Sequence, residues 1–157
     1  MINTIQGSPR AERLRLAIVE SRFNGFITSR LLDTAVDTLE RLGADEKKIA
    51  VYRVPESFEI PLAARRLASG RKWDAVICLG ALIKGDTPHF DFIAASVTQG
   101  IAQAAADTGV PISFGVITAN SLEQAIDRAD AKSGNKGADA AMSPVEMVNL
   151  LKSIETG

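Results

Sequence analysis

Residues 75–92 read AVICLGALIKGDTPHFDF, an apolar run that passes straight into a polar loop holding the chain's one histidine. Ala75, Val76, Ile77, Cys78 and Leu79 are apolar without alternation, the pattern of a strand covered on both faces in a parallel sheet. Gly80 and Gly85 are expected to bracket a turn. Asp86, Thr87, Pro88 and His89 follow, so backbone N–H groups, a hydroxyl and an imidazole gather at the carboxyl end of a central strand. That edge is where open α/β sheets bind ligands.

Towards the N-terminus, residues 14–20 (LRLAIVE) predict a first strand, with Ser21, Arg22, Phe23 and Asn24 at its carboxyl end. The spacing of Ile27, Leu31, Ala35, Leu39 and Leu42 predicts a helix over 26–42, stopped by Gly43. Residues 49–54 (IAVYRV) form a second strand; a polar loop, Glu56-Ser57-Phe58-Glu59, precedes a helix opened by Pro61 and running through Leu67. Residues 1–12 are polar, contain Gly7 and Pro9, and read as an arm, more commonly a loosely held terminus than one that pairs with a neighbouring subunit.

Towards the C-terminus, Ile93, Val97, Ile101 and Ala105 recur every four residues up to Gly109. Residues 112–117 (ISFGVI) form a fourth strand, and Ser121 with Gln124 makes a capping box for a helix carrying Leu122, Ala125, Ile126 and Ala129. Gly134 and Gly137 interrupt the pattern, and a last helix covers 138–154, where Pro144 predicts a kink or a separate first turn. Four strands alternating with helix-length crossovers predict a single α/β domain over 1–157: a doubly wound, four-stranded parallel sheet with helices on both faces, in flavodoxin-like order.

Bulk properties narrow the function. The net charge of −1 argues against a general binder of nucleic-acid backbone, which needs a basic excess. The lone Cys78 lies inside an apolar strand and reads as a buried hydrophobe. No apolar run approaches the roughly 20 residues that span a bilayer, and the first residues lack a signal peptide's apolar segment, so a cytoplasmic protein without membrane contact is expected.

The four strand ends bring together Phe23 and Asn24, Ser57 to Glu59, Ala81 to His89, and Phe114 to Asn120. An aromatic face, a carboxylate with a hydroxyl, and an imidazole together suit a flat polar ring bearing a hydroxylated side chain. An imidazole exchanges protons near neutral pH, so His89 is either a proton-transfer group or a side chain that packs or caps its helix. Gly85-Asp86-Thr87 before a helix offers backbone donors to a phosphate, with the Asp86 carboxylate opposing one if it turns inward. Arg128, Lys132 and Lys136 are spaced four apart; the first two share a helix face, Gly134 breaks the register before Lys136, and the group is either a solvated basic edge or a phosphate clamp. No metal-ligand spacing, nucleophile elbow or Walker-type loop is present in the sequence.

The ordered set SRFN (21–24), VPESFEIP (54–61), GALIKGDTPHFDF (80–92), FGVIT (114–118), LEQAIDRA (122–129) and GNKGADAA (134–141) resembles the 6,7-dimethyl-8-ribityllumazine synthases over nearly the whole chain. The resemblance implies the penultimate step of riboflavin biosynthesis. In it 5-amino-6-(D-ribitylamino)uracil condenses with 3,4-dihydroxy-2-butanone 4-phosphate, releasing phosphate and water, with no metal or organic cofactor. It further implies that Phe23 stacks on the pyrimidine, that Ser57, Phe58 and Glu59 hold the ribityl chain, and that Ala81, Leu82 and Ile83 line the ring edge. His89 is the implied proton shuttle, Asp86, Thr87 and Arg128 the phosphate site, and Lys136 an auxiliary charge. Phe114 would cover the ring from a neighbouring subunit, in a pocket shared by adjacent members of a homopentamer, twelve of which can close into an icosahedral shell of 60 chains.

Against the family pattern, Glu56 replaces the glycine of a Val-Pro-Gly-Ser turn and predicts strain if the backbone there needs φ > 0. Lys84 replaces a frequent arginine, and Pro144 falls in the last helix. The competing readings are a flavin- or lumazine-sequestering module without turnover, a shell protein whose assembly is its main role, and the related archaeal-type riboflavin synthase.

Overall fold

The computed structural model describes residues 1–130 and 135–157. Its sheet has four strands, all parallel, in the order β2-β1-β3-β4: β1 (Leu16–Ser21), β2 (Ile49–Val54), β3 (Ala75–Ile83) and β4 (Ile112–Ala119). That is the flavodoxin-like order, with the switch point between β1 and β3. The helices are α1 (Gly25–Arg41), α2 (Ile60–Ser69), α3 (His89–Thr108), α4 (Leu122–Ala129) and α5 (Lys136–Thr156).

The burial pattern explains the order. Every residue of β1 is buried, as are the first seven of β3, which suits central strands covered above and below. On one face Leu16, Ile18, Ile77 and Leu79 pack with Ile27, Leu31 and Leu39 of α1 and with the alanines of α4 and α5. On the other, Ala17, Val19, Val76 and Cys78 meet Ile60 and Ala64 of α2 and Val97 and Ile101 of α3. The charged residue inside β1, Glu20, is 4% exposed and bonds at 2.9 Å to Arg53, its direct neighbour on β2. Pairing is what makes a carboxylate tolerable there.

Cys78 is fully buried, and burial alone pushes its thiol upward. Thiolate is the reactive form. An alkylating reagent at mildly alkaline pH is therefore expected to leave Cys78 unmodified in the folded protein and to label it fully in denaturant; rapid native labelling would contradict this placement.

Four expectations change and a fifth narrows. Gly80 lies inside β3 and not in a turn: a Cβ there would stand 2.8 Å from Ser57 Oγ and 3.0 Å from Ile60 Cδ1, so the missing side chain serves packing. The N-terminal arm is tied down from Gly7 onward. Gly7 abuts the Glu146 carbonyl of α5, Asn149 Nδ2 donates to the carbonyls of Ser8 and Arg10, and Ala11 is buried. Pro144 is buried within a continuous α5, so of the two alternatives expected there the separate first turn is excluded. Gly137 belongs to α5's first turn, where a Cβ would meet the Leu31 carbonyl of α1 at 2.4 Å. Glu56 has φ −140° and ψ 174°, extended backbone open to any residue, so the expected strain is absent. The readings placed on Lys132 and Gly134 fall in 131–134, outside the described residues.

The capping box at Ser121 is as expected: its side chain accepts from the Gln124 N–H, while Gln124 Oε1 accepts from the Asn120 N–H. Asn135 caps α5 in the same manner. Its Oδ1 accepts from Gly137 and Ala138, and its Nδ2 donates to Ala129 O and Thr34 Oγ1, joining α1, α4 and α5. Among the described residues no helix is long and apolar enough to cross a membrane.

Candidate active site

Parallel pairing sends the carboxyl ends of all four strands to one rim, and short hydrogen bonds fix the loops there. Past β1, the Arg22 N–H donates to Val54 O and the Phe23 N–H to Pro55 O, so Phe23 is held beside the loop that follows β2. Asn24 takes a left-handed backbone, φ 59°, which asparagine tolerates better than most residues. Its Nδ2 donates to the Ala81 carbonyl at 3.1 Å, fastening the start of α1 to β3. Residues 57–59 make a tight turn before α2, with Ser57 buried at its start. α3 begins at His89, whose N–H donates to Thr87 Oγ1 at 3.4 Å.

These ties create a cleft of about 230 Å³ lined by Phe23, Ser57, Phe58, Ala81, Leu82, Ile83, Thr87 and His89. Eight of the site residues singled out in the sequence thus share one concavity, joined by Asn24, Glu56, Gly85, Phe90 and Ile93. Phe90 and Ile93 escaped the sequence reading as site residues, although they stand one and four places after His89 on α3, the second on the same helix face. Ala81, Leu82 and Ile83 are the last residues of β3, not loop. Phe23 and Phe58 are 61% and 56% exposed, so two aromatic faces stand open at the mouth.

The remaining candidates lie elsewhere. Asp86 is exposed beside the cleft, and Glu59 is half-buried where the tight turn meets α2; neither lines the cavity. Phe114 sits early in β4, opposite Cys78, and not at the strand's end. It lines a second groove of about 490 Å³ with Thr118, Asn120 and, from α3, Phe90, Ala94, Ala95, Thr98 and Gln99. Arg128 reaches this groove's wall by donating through Nη1 to the Thr118 carbonyl. Lys136 opens α5, so it and Arg128 occupy different helices, in keeping with the break in register expected before Lys136. A third concavity, between the start of β4 and α5, is lined by Val110, Pro111, Met147 and Leu151 among others; none of its lining residues among the described ones is ionisable, so they offer no acid–base chemistry.

The cleft presents apolar ring faces, a seryl hydroxyl, an imidazole and the donor-rich start of a helix. It suits a flat heterocycle with a polar tail and an anion at the helix entrance. A family model described as 6,7-dimethyl-8-ribityllumazine synthase matches residues 13–152. The chain belongs to the 6,7-dimethyl-8-ribityllumazine synthase family. Among curated relatives bearing that name, it is 55% identical to one from Syntrophus aciditrophicus (strain SB) over 154 residues, covering 98% of this chain and 100% of the relative. It is 54% identical to one from Chloroherpeton thalassium (strain ATCC 35110 / GB-78) over 153 residues, covering 98% and 99%. As a lumazine synthase family member it is an enzyme, a transferase of riboflavin biosynthesis.

Proposed function

We propose that this chain condenses 5-amino-6-(D-ribitylamino)uracil with 3,4-dihydroxy-2-butanone 4-phosphate in a pocket completed by a second copy of itself. One observation carries the reading: the candidate residues divide between two concavities that have only Phe90 in common, with Phe23 and His89 in the cleft and Phe114 and Arg128 at the second groove. The exposed rings of Phe23 and Phe58 at the cleft mouth leave room for a covering partner.

In this reading the pyrimidine stacks on Phe23, and its ring edge runs along Ala81, Leu82 and Ile83. The ribityl hydroxyls meet Ser57, Phe58 and Glu59. Phe114 of the neighbouring copy closes the ring's other side, bringing Arg128 with it. The phosphate rests on the N–H groups entering α3, with Asp86 and Thr87 at the entrance, Arg128 as its counter-charge and Lys136 as a more distant one. The pyrimidine's primary amine attacks the ketone and gives an imine with loss of water. His89 then takes a proton as phosphate leaves and returns one as the ring closes with loss of a second water. The assembly is a homopentamer, alone or as twelve pentamers in a shell, and the protein works in the cytoplasm as one domain.

The test mixes both purified substrates and follows lumazine absorbance, on a sample whose mass is measured by light scattering. Chromophore formation by an oligomer is expected. Binding without turnover would leave a sequestering module, riboflavin formed from lumazine alone would indicate the riboflavin synthase, and full turnover by a monomer would refute the shared pocket. Arg128→Ala is expected to raise KM for the phosphate substrate by about 10- to 100-fold, the worth of a hydrogen bond to a charged group. KM for the pyrimidine should hardly change. An unaltered phosphate-substrate KM would exclude the clamp.

A further inference from the structure

Beneath the cleft lies a hydroxyl that the proposed mechanism does not use. Ser21, the last residue of β1, is 0% exposed, and its Oγ has no hydrogen-bond partner among the described residues. A buried hydroxyl left unpaired is costly, and native structures hold few of them. Its surroundings suggest what it is for. A Cβ built on Gly80 would stand 3.2 Å from Ser21 Oγ and 2.8 Å from Ser57 Oγ, so the two hydroxyls border the same small space that glycine leaves empty. Ser57 is itself only 3% exposed, yet it lines the cleft. One hydroxyl therefore belongs to a residue of the cleft wall and the other to a fully buried one, and the end of Ile60, 3.0 Å from the same point, is the third neighbour of that space.

We propose that Ser21 is a positioning residue: its O–H donates to Ser57 Oγ when substrate engages Ser57, leaving the Ser57 proton directed at a hydroxyl of the pyrimidine's side chain. The proposal rests on the reading above that Ser57 holds that chain. A hydroxyl has one proton and two acceptor lone pairs, so Ser57 can accept from below while donating above. A donor that is itself accepting a hydrogen bond is polarised and binds more strongly. Gly80 makes the arrangement possible, because a methyl there would stand 2.8 Å from the Ser57 oxygen and crowd it off this position.

The experiment measures KM and kcat for each substrate in wild type, Ser21→Ala, Ser57→Ala and the double variant, with a melting temperature for each. Ser21→Ala is expected to raise KM for the ribitylaminouracil about two- to tenfold, as for a lost neutral hydrogen bond. The kcat and the KM for the phosphate substrate should stay at wild-type values. The melting temperature should hold or rise, because an unpaired buried hydroxyl has been removed. In the Ser57→Ala background the Ser21 substitution should add nothing. If Ser57→Ala leaves the ribitylaminouracil KM unchanged, the reading of Ser57 fails and the proposal with it. If Ser57→Ala raises that KM while Ser21→Ala does not, the proposal alone is overturned and Ser21 is idle. An effect of Ser21→Ala that persists in the double variant, or that falls equally on both substrates, also overturns it.

Discussion

His89→Ala is expected to lower kcat by about 10²-fold while leaving turnover well above the rate of the mixed substrates in buffer. General acid–base catalysis by one positioned group contributes about 10²- to 10⁴-fold. The lower figure applies because the proposed reaction itself releases two waters in the pocket, and one standing where the imidazole was can carry part of the proton transfer. Water replaces part of its function in the variant. The rest of the acceleration comes from holding an amine and a ketone in register, and such alignment alone can supply several kcal/mol. That contribution belongs to Phe23, Ser57 and the end of β3, which the substitution does not touch. Both KM values should therefore change little, and free imidazole should restore part of the lost rate by entering the vacated space. A folded, correctly assembled variant with no activity at all would contradict this division between proton transfer and positioning.

The fold was legible because β1 and β3 are apolar on both faces and each is followed by a helical period, a pattern few architectures share. The cleft was legible for a related reason: parallel strands deliver their carboxyl ends to one rim, so Phe23, Ser57 and His89 had to converge once the strands were recognised. Contacts between distant parts of the chain stayed hidden. Gly80 reads as a turn because glycine breaks strands, and only the approach of Ser57 and Ile60 shows that its lack of a side chain is needed inside one. The polar arm reads as loose, since nothing nearby in sequence announces that Gly7 and Asn149 meet. Glu56 reads as strained only on the supposition of a left-handed backbone that the chain does not adopt. Asn135 did leave a signal, an asparagine just before a helical run with Asp139 in its first turn, but the glycines around it drew the reading towards a break.

Gly115→Ala is expected to cost about 3 kcal/mol, the upper end of the usual range for overpacking a core. For a chain of this length that lowers the melting temperature by about 6–12 °C at fixed protein concentration. A methyl on Gly115 would lie 2.6 Å from the Cys78 carbonyl, 2.7 Å from Ala140 Cβ and 2.8 Å from Leu79 Cδ2. Leu79 can turn aside, but the other two cannot. The Cys78 carbonyl belongs to the paired β3–β4 ladder, and Ala140 lies on α5. Asn135 anchors the start of α5, and the near-contact of Gly137 with the Leu31 carbonyl holds it against α1. The helix must therefore lift from the sheet, or β4 must shift. A shift of β4 would carry Phe114, the preceding residue, so activity should fall along with stability. Gly25→Ala is the control: nothing among the described residues lies within 4 Å of its Cβ position and its φ is not in the left-handed range. It should be neutral or stabilising by up to about 1 kcal/mol, through the lower entropy of the unfolded chain. Equal melting temperatures for Gly115→Ala and Gly25→Ala would mean that α5 can move freely over the sheet, and the tight seat assigned to Ala140 would be wrong.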